Sequence, residues 1–212
     1  MKKTIISFDL DSVIVDITNE LLYPVIREYY NDLNCPDEKL KAMYFEFKKS
    51  YPEDLANKLI EVCQTSKLTD IKIDPKIVNA LNNLIHNPVF DIYFITNRDI
   101  KLDTYSQLVN NGIKVDEKHL IVTKDKIPYI TTLKSIHVDD RIDIIAKLIS
   151  LNKYEDVPMP ILISNEDTLY NHFLEYDLAP GDVHFNDISL NVKIPDHIRY
   201  SSVLEFIESI KF

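Results

Sequence analysis

Three acids interrupt the first apolar run of this chain. In "IISFDLDSVIVD", residues 5–16, Ile5, Ile6 and Phe8 read as a buried strand, and Val13, Ile14 and Val15 resume the apolar pattern. Asp9, Asp11 and Asp16 fall between and after them. Removing a carboxylate from water costs several kcal/mol unless a partner offsets it, so acids at the end of a buried strand imply a use. Two later runs end in the same manner. "VFDIYFIT" closes on Thr96 and is followed by Asn97 and Arg98, and "SIHV" runs into Asp139 and Asp140. If the three strands are neighbours, Asp9, Asp11, Asp139 and Asp140 converge on one crevice. That is an oxygen donor set for a hard divalent cation, most naturally Mg2+, which would offset the repulsion among the acids. The lysines of "TKDK", Lys124 and Lys126, are the nearby candidates to pair with an acid. Each piece alone has an ordinary explanation as a turn acid, a helix cap or a solvated lysine. The order and spacing of all of them together is the specific signal.

Positioning such a crevice needs parallel strands, because ligands of open α/β sheets bind beyond the carboxyl ends of the strands. Strand candidates are 4–8, 89–96, 119–123, 135–138 and 160–164. Between them lie helical patterns. From Thr18 to about Asn31, Leu21, Leu22, Val25, Ile26 and Tyr29 recur at three- and four-residue steps, with Thr18 as the expected N-cap. Asp74-Pro75 opens another helix that buries Ile77, Val78, Leu81, Leu84 and Ile85. A helix near 101–111 stops at Asn111-Gly112, "RIDIIAKLISLN" (141–152) is amphipathic, and "SSVLEFIESIKF" (201–212) closes the chain on a Ser201 or Ser202 cap. Alternating strands and helices imply a parallel sheet. Residues 165–200 show no clear periodicity.

Composition limits the partners. A chain of 212 residues with 27% charged and 45% hydrophobic residues supports one sizeable core of an ordinary soluble protein. Its net charge of −10 argues against gripping long nucleic acid, which demands a basic track. No apolar run approaches the roughly 20 residues that span a bilayer. "MKKTIISFDLD" starts like a signal peptide, but Asp9 breaks the run too soon for an apolar region of about 7–15 residues; a strand of a cytoplasmic protein is expected. Cys35 and Cys63 are far apart and read as thiols rather than a disulfide.

The four segments "FDLDSVIVD", "FITNR", "TKDK" and "IHVDDR" together resemble the haloacid dehalogenase-like phosphohydrolase superfamily, over residues 4–141. The resemblance implies an α/β fold with a three-layer Rossmann-like parallel sheet core, formed by 1–16 and 89–212. It also implies a small helical cap, 17–88, inserted after the first strand. It makes Asp9 the nucleophile and Asp11 the general acid and base, with Mg2+ on Asp9, the Asp11 backbone carbonyl and one of Asp139 and Asp140. Thr96 and Asn97 would bind phosphate oxygens, and Lys126, preferred over Lys124, would pair with Asp9 and the phosphate. Within the superfamily the 5'(3')-deoxyribonucleotidases are most similar, sharing D-x-D-x-V-x-x-D at Asp9, Asp11, Val13 and Asp16 and a T-[RK]-D-K run. Ser12 stands where glycine is usual there, "ITNR" replaces that group's second motif, and the C-terminal segment is longer.

The implied activity is Mg2+-dependent hydrolysis of a phosphomonoester, with a nucleoside monophosphate as substrate and an aspartyl-phosphate intermediate. Arg98, two residues after Thr96, is placed to meet phosphate. Tyr44, Phe45 and Tyr51 are the aromatic candidates for stacking on a base, although aromatics at helical spacing usually pack a core. The rival readings are a sugar-phosphate or 3'-phosphate-end phosphatase of the same superfamily and a non-catalytic phosphate-ligand-binding protein of the same fold.

Overall fold

The first strand is apolar on both faces, as a strand in the middle of a parallel sheet must be. β1 (Thr4–Phe8) buries Ile6, Ser7 and Phe8. In a computed structural model, which describes residues 3–36, 53–63, 67–98, 101–152, 156–163, 182–185, 188–191 and 194–210, it is followed by β2 (Phe90–Thr96), β3 (Leu120–Val122), β4 (Ile136–Asp139) and β5 (Ile161–Ile163). β6 (Asp182–Phe185) and β7 (Ile188–Asn191) pair antiparallel as a separate ribbon, and β8 (Arg199–Tyr200) returns to the main sheet. The six-stranded sheet has the order β3-β2-β1-β4-β5-β8, with every pairing parallel. This is the expected Rossmann-like α/β architecture. The strand order reverses between β1 and β4, which opens a crevice at their carboxyl ends.

The helices are α1 (Tyr23–Tyr29), α2 (Glu53–Cys63), α3 (Lys67–Asp70), α4 (Pro75–His86), α5 (Lys101–Asn110), α6 (Ile127–Leu133), α7 (Ile142–Asn152) and α8 (Val203–Ser209). Local chemistry sets several ends. Asp74 accepts from the Lys76 amide at 2.8 Å, with Pro75 at the first helical position of α4. Ser202 accepts from the Glu205 amide at 3.2 Å and caps α8. Gly112, at φ +89°, provides the turn that ends α5.

Some expectations change. Thr18 is not an N-cap: it is buried within a π-helical turn, Thr18–Leu22, that leads into α1. The capping acceptor is Asp16, whose carboxylate takes the Asn19 amide at 3.1 Å and the Asn19 side chain at 2.8 Å. In α4, Val78, Leu81 and Leu84 are buried, while Ile77 and Ile85 are only partly so. Helix α6 and the strands within 165–200 carry no clear pattern in the sequence, because "IPYITTL" is rich in β-branched residues and β8 is only two residues long.

Within the region expected as a cap, 17–88, the described residues pack in two places. Leu68, Ile71, Ile73 and the apolar face of α4 join the main core under the sheet, and α4 lies against β2 and α8. Tyr23, Ile26, Cys35 and Leu55 form a separate small cluster with Val25, Tyr29, Tyr30 and Leu59 around them. Both cysteines are free thiols. Among the described residues no helix is long and apolar enough to cross a membrane.

The loop after β1 carries a backbone cost. Ser12 has φ +61°, in the left-handed region, while its amide donates to the Val15 carbonyl at 2.8 Å. A side chain there costs roughly 1–2 kcal/mol, and glycine escapes this at an entropic cost of about 0.5–1 kcal/mol. Ser12→Gly should therefore raise stability by about 0.5–1 kcal/mol in urea unfolding. A loss of stability would show that the serine side chain offsets its own strain.

Candidate active site

Backbone pairing brings the acids together before any side chain contributes. Phe8 lies beside Phe94 of β2 on one side and Val138 of β4 on the other. The Asp9 amide continues the ladder, donating to the Val138 carbonyl at 2.8 Å. Asp9, Asp139 and Asp140 therefore leave adjacent strand ends at the order reversal. All three are buried, and each offers a carboxylate oxygen within 4.8 Å of the others.

Lys126 holds this group together. Its side chain is 4% exposed, and its ammonium donates to Asp9 Oδ1 at 2.8 Å and Asp139 Oδ2 at 2.9 Å. It reaches the crevice because it stands at the start of α6, where Asp125 accepts from the Ile127 amide. Lys124, the alternative, is exposed. Burial alone would lower the Lys126 pKa, but Asp139 and Asp9 override it and hold the ammonium charged.

The three carboxylates have different electrostatic surroundings. Burial, then the nearby Asp139 and Asp11 charges, push Asp9 up to about 7 against the pull of Lys126. Burial would also raise Asp139, but Lys126 and His137 hold it well below the usual carboxylate range. Its Oδ1 accepts the Arg141 amide at 2.9 Å, and its Oδ2 accepts from both Lys126 and His137. Asp140 is pushed well above its ordinary value by burial, Asp139 and Asp9. Three buried acids against one ammonium leave an excess of negative charge, and oxygen-only donors suit a hard divalent cation. The residues fit Mg2+.

Beneath Asp139 runs a polar chain that sequence reading missed. His137 is fully buried, and burial lowers its pKa, so the ring is neutral. A carboxylate only accepts, so His137 Nε2 carries the proton it donates to Asp139 at 2.9 Å. His137 Nδ1 then accepts from the Ser7 hydroxyl at 2.8 Å, and Ser135 donates to Ser7 at 2.7 Å. The available signal was a histidine two residues before an acid on a buried strand.

On the β2 side, Thr96 is fully buried, and among the described residues its hydroxyl has no hydrogen-bond partner. Asn97 is exposed at the strand end. Arg98, expected to meet phosphate, makes its contacts within the protein. It is buried, with Nη2 2.6 Å from Asp11 Oδ1 and Nε 3.2 and 3.1 Å from Asp11 Oδ1 and Oδ2. Asp11 is thus drawn to Arg98, and its carboxylate is not one of the three grouped acids. Arg98 Nη1 donates to Gln107 Oε1 at 2.5 Å. The Cys63 thiol, at the end of α2, is pushed up to about 11 by burial and then by the Asp11 charge, which places this helix end near the pair. Tyr44, Phe45 and Tyr51 lie outside the described residues. Of the other aromatics in the helical region, Tyr23 is buried in the small cluster, and Tyr29 donates to the Asp54 carboxylate at 2.9 Å.

No family model matches this chain, and no curated protein sequence matches it. Among solved structures, a crystal structure from Burkholderia xenovorans LB400, described as that of a haloacid dehalogenase-like hydrolase, is similar with a TM-score of 0.53. The two share 12% sequence identity, and the likeness covers 99% of this chain and 97% of the other. At that identity the likeness speaks for the fold alone: the chain shares the α/β architecture of that structure, with a parallel six-stranded sheet flanked by helices.

The elevated Asp9 gives a test that needs no activity. A carboxyl whose folded pKa exceeds its unfolded one favours folding at low pH and loses that contribution as pH rises through the folded value. In excess chelator, the stability of Asp9→Asn relative to wild type should therefore shift in favour of the variant between about pH 4 and pH 8. Urea unfolding across that range checks the sign; a shift in the opposite direction would mean that the Lys126 pairing outweighs burial at Asp9.

Proposed function

We propose that this protein is a Mg2+-dependent phosphomonoester hydrolase that works through an aspartyl-phosphate on Asp9. One observation carries the reading: the Asp9 carboxylate is buried at a strand end, bonded to the Lys126 ammonium, and grouped with Asp139 and Asp140. A structural ion pair needs no second and third acid at the same point, whereas a nucleophilic carboxylate beside a cation site does.

In the first step an Asp9 oxygen attacks phosphorus, and the bond from phosphorus to the leaving alcohol oxygen breaks. Asp11 delivers the proton that the leaving oxygen takes up. In the second, Asp11 takes a proton from water, the water oxygen bonds to phosphorus, and the Asp9–phosphorus linkage breaks to give inorganic phosphate and free Asp9. Lys126 balances charge on Asp9 and the phosphoryl oxygens throughout. The unpartnered Thr96 hydroxyl and the Asn97 amide are suited to hold those oxygens. Mg2+ would be held by Asp9, the Asp11 carbonyl and an acid after β4, and when bound it supplies positive charge against the phosphoryl group. Asp140 is the better direct ligand of the β4 pair, because both Asp139 oxygens already accept from protein donors.

The substrate we infer is a nucleoside monophosphate, on the likeness of "FDLDSVIVD" and "TKDK" to the nucleotidase motifs and on the helical region between β1 and β2. A sugar phosphate is the second reading, favoured by the commitment of Tyr23 and Tyr29 to packing and hydrogen bonding. A panel of both substrate classes, with and without Mg2+, separates them. Preferred turnover of nucleotides supports the first reading, and its absence the second.

Asp9→Asn should lower kcat at least a hundredfold, about 2.7 kcal/mol of barrier, with the fold retained by circular dichroism. A variant that keeps more than a tenth of the wild-type rate excludes Asp9 as nucleophile. Activity should also vanish in chelator and return with Mg2+; undiminished hydrolysis in excess EDTA would sink the metal assignment.

A further inference from the structure

Arg98 sits at the junction of two structures that the proposed mechanism treats separately. On one side its guanidinium grips Asp11 through Nη2 and Nε. On the other its Nη1 meets Gln107 on α5, and Gln107 is itself buried. The Gln107 amide nitrogen donates to two backbone carbonyls, Leu68 in α3 and Ile71 just beyond it, both at 2.9 Å. Those carbonyls lie where the helical region returns to the sheet. An unbroken chain of hydrogen bonds therefore joins that return segment to the Asp11 carboxylate.

The geometry restricts what Arg98 does. A planar guanidinium fixes the orientation of whatever it grips at two points, and all three of its nitrogens are engaged within the protein. An arginine set out to receive a substrate phosphate would keep its fork open. Asp11, by contrast, is partly exposed on a short loop after β1 and would sample several rotamers without a clamp.

We propose that Arg98 is a positioning residue: it holds the Asp11 carboxyl, which carries the proton taken from water in the preceding turnover, at the orientation needed to transfer that proton to the leaving group, and Gln107 ties that orientation to the segment at Leu68–Ile71. This deepens the phosphatase reading and rests on it. Asp9, by contrast, is held independently of this chain, by Lys126 and by the β4 ladder.

Leaving-group chemistry tests this. p-Nitrophenolate departs without a proton, whereas an alkoxide needs one. Asp11→Asn, Arg98→Gln, Arg98→Lys and the double variant D11N/R98Q are compared on p-nitrophenyl phosphate and on an alkyl phosphate, with melting temperatures beside the kinetics. Arg98→Gln should lower kcat at least thirtyfold on the alkyl ester and less than threefold on the aryl ester, with KM unchanged on both. Arg98→Lys, which keeps the charge but not the fork, should fall between Arg98→Gln and wild type. D11N/R98Q should be no slower on the alkyl ester than Asp11→Asn alone.

A rise in KM of similar size on both substrates would make Arg98 a phosphate binder and overturn the proposal. Equal losses of kcat with a lowered melting temperature would reduce it to a structural ion pair, with the same consequence. If Arg98→Gln does not fold, Gln107→Leu provides the second arm, with the same selectivity for the alkyl ester at three- to tenfold; equal losses there overturn the proposal. Wild-type protein that hydrolyses no phosphate ester overturns the phosphatase reading and this inference together, whereas active wild type with unselective Arg98 variants overturns this inference alone.

Discussion

The arrangement of the crevice depends on one buried ammonium. Lys126 is removed from water between Asp9 and Asp139, and neither the cation nor the acids would be tolerated there alone. Its attraction draws together carboxylates that repel one another, and it leaves Asp9 and Asp140 with elevated pKa values that one positive charge does not fully correct. The remaining imbalance is what a divalent cation relieves. Under the proposed reading the same imbalance would serve Asp9 as a nucleophile, since a carboxylate with little solvation attacks more readily once its substrate is neutralised.

The sheet makes that pairing possible. Parallel strands with one order reversal bring β1 and β4 side by side while their connections run outward in opposite directions, so two chain segments 130 residues apart end at the same point. Support for Asp139 continues downward. A neutral His137, fixed by Ser7 and Ser135, donates to the same oxygen as Lys126. This layer costs little, because every hydrogen in it has an acceptor. Its effect is to hold Asp139 ionised and in place, so that Asp139 orients Lys126.

The helical region after β1 divides between two loyalties. Residues around Tyr23, Ile26, Cys35 and Leu55 bury their apolar faces against one another, while Leu68, Ile71, Ile73 and α4 serve the main core. A segment with its own small core changes position at less cost than one whose side chains plug the sheet. Gln107 takes the carbonyls of Leu68 and Ile71 within the part that serves the main core, and its side-chain oxygen meets Arg98, which grips Asp11.

The sequence by itself determined the fold class, the first five strands and the acids that follow two of them. Those are local properties: an apolar run of five to seven residues declares a buried strand, and an acid at its end declares itself by being misplaced. The strand ends at Asp9, Thr96 and Asp139 follow from such patterns, whereas the burial of Lys126 does not: a lysine in "TKDK" has the sequence of a solvated one, and only the fold removes it from water. Tertiary structure decided the partners. That Arg98 turns inward to Asp11, that Ser7 fixes His137 beneath Asp139, and that Gln107 bridges α3 and α5 depend on contacts across 36 to 130 residues. No periodicity encodes these contacts, because a polar side chain on a helix or strand looks the same whether it faces water or a buried acceptor. The helix at 127–133 and the two-residue strand at 199–200 escaped for a related reason: elements this short are stabilised by the sheet they join, and their own sequence preference is too weak to announce them.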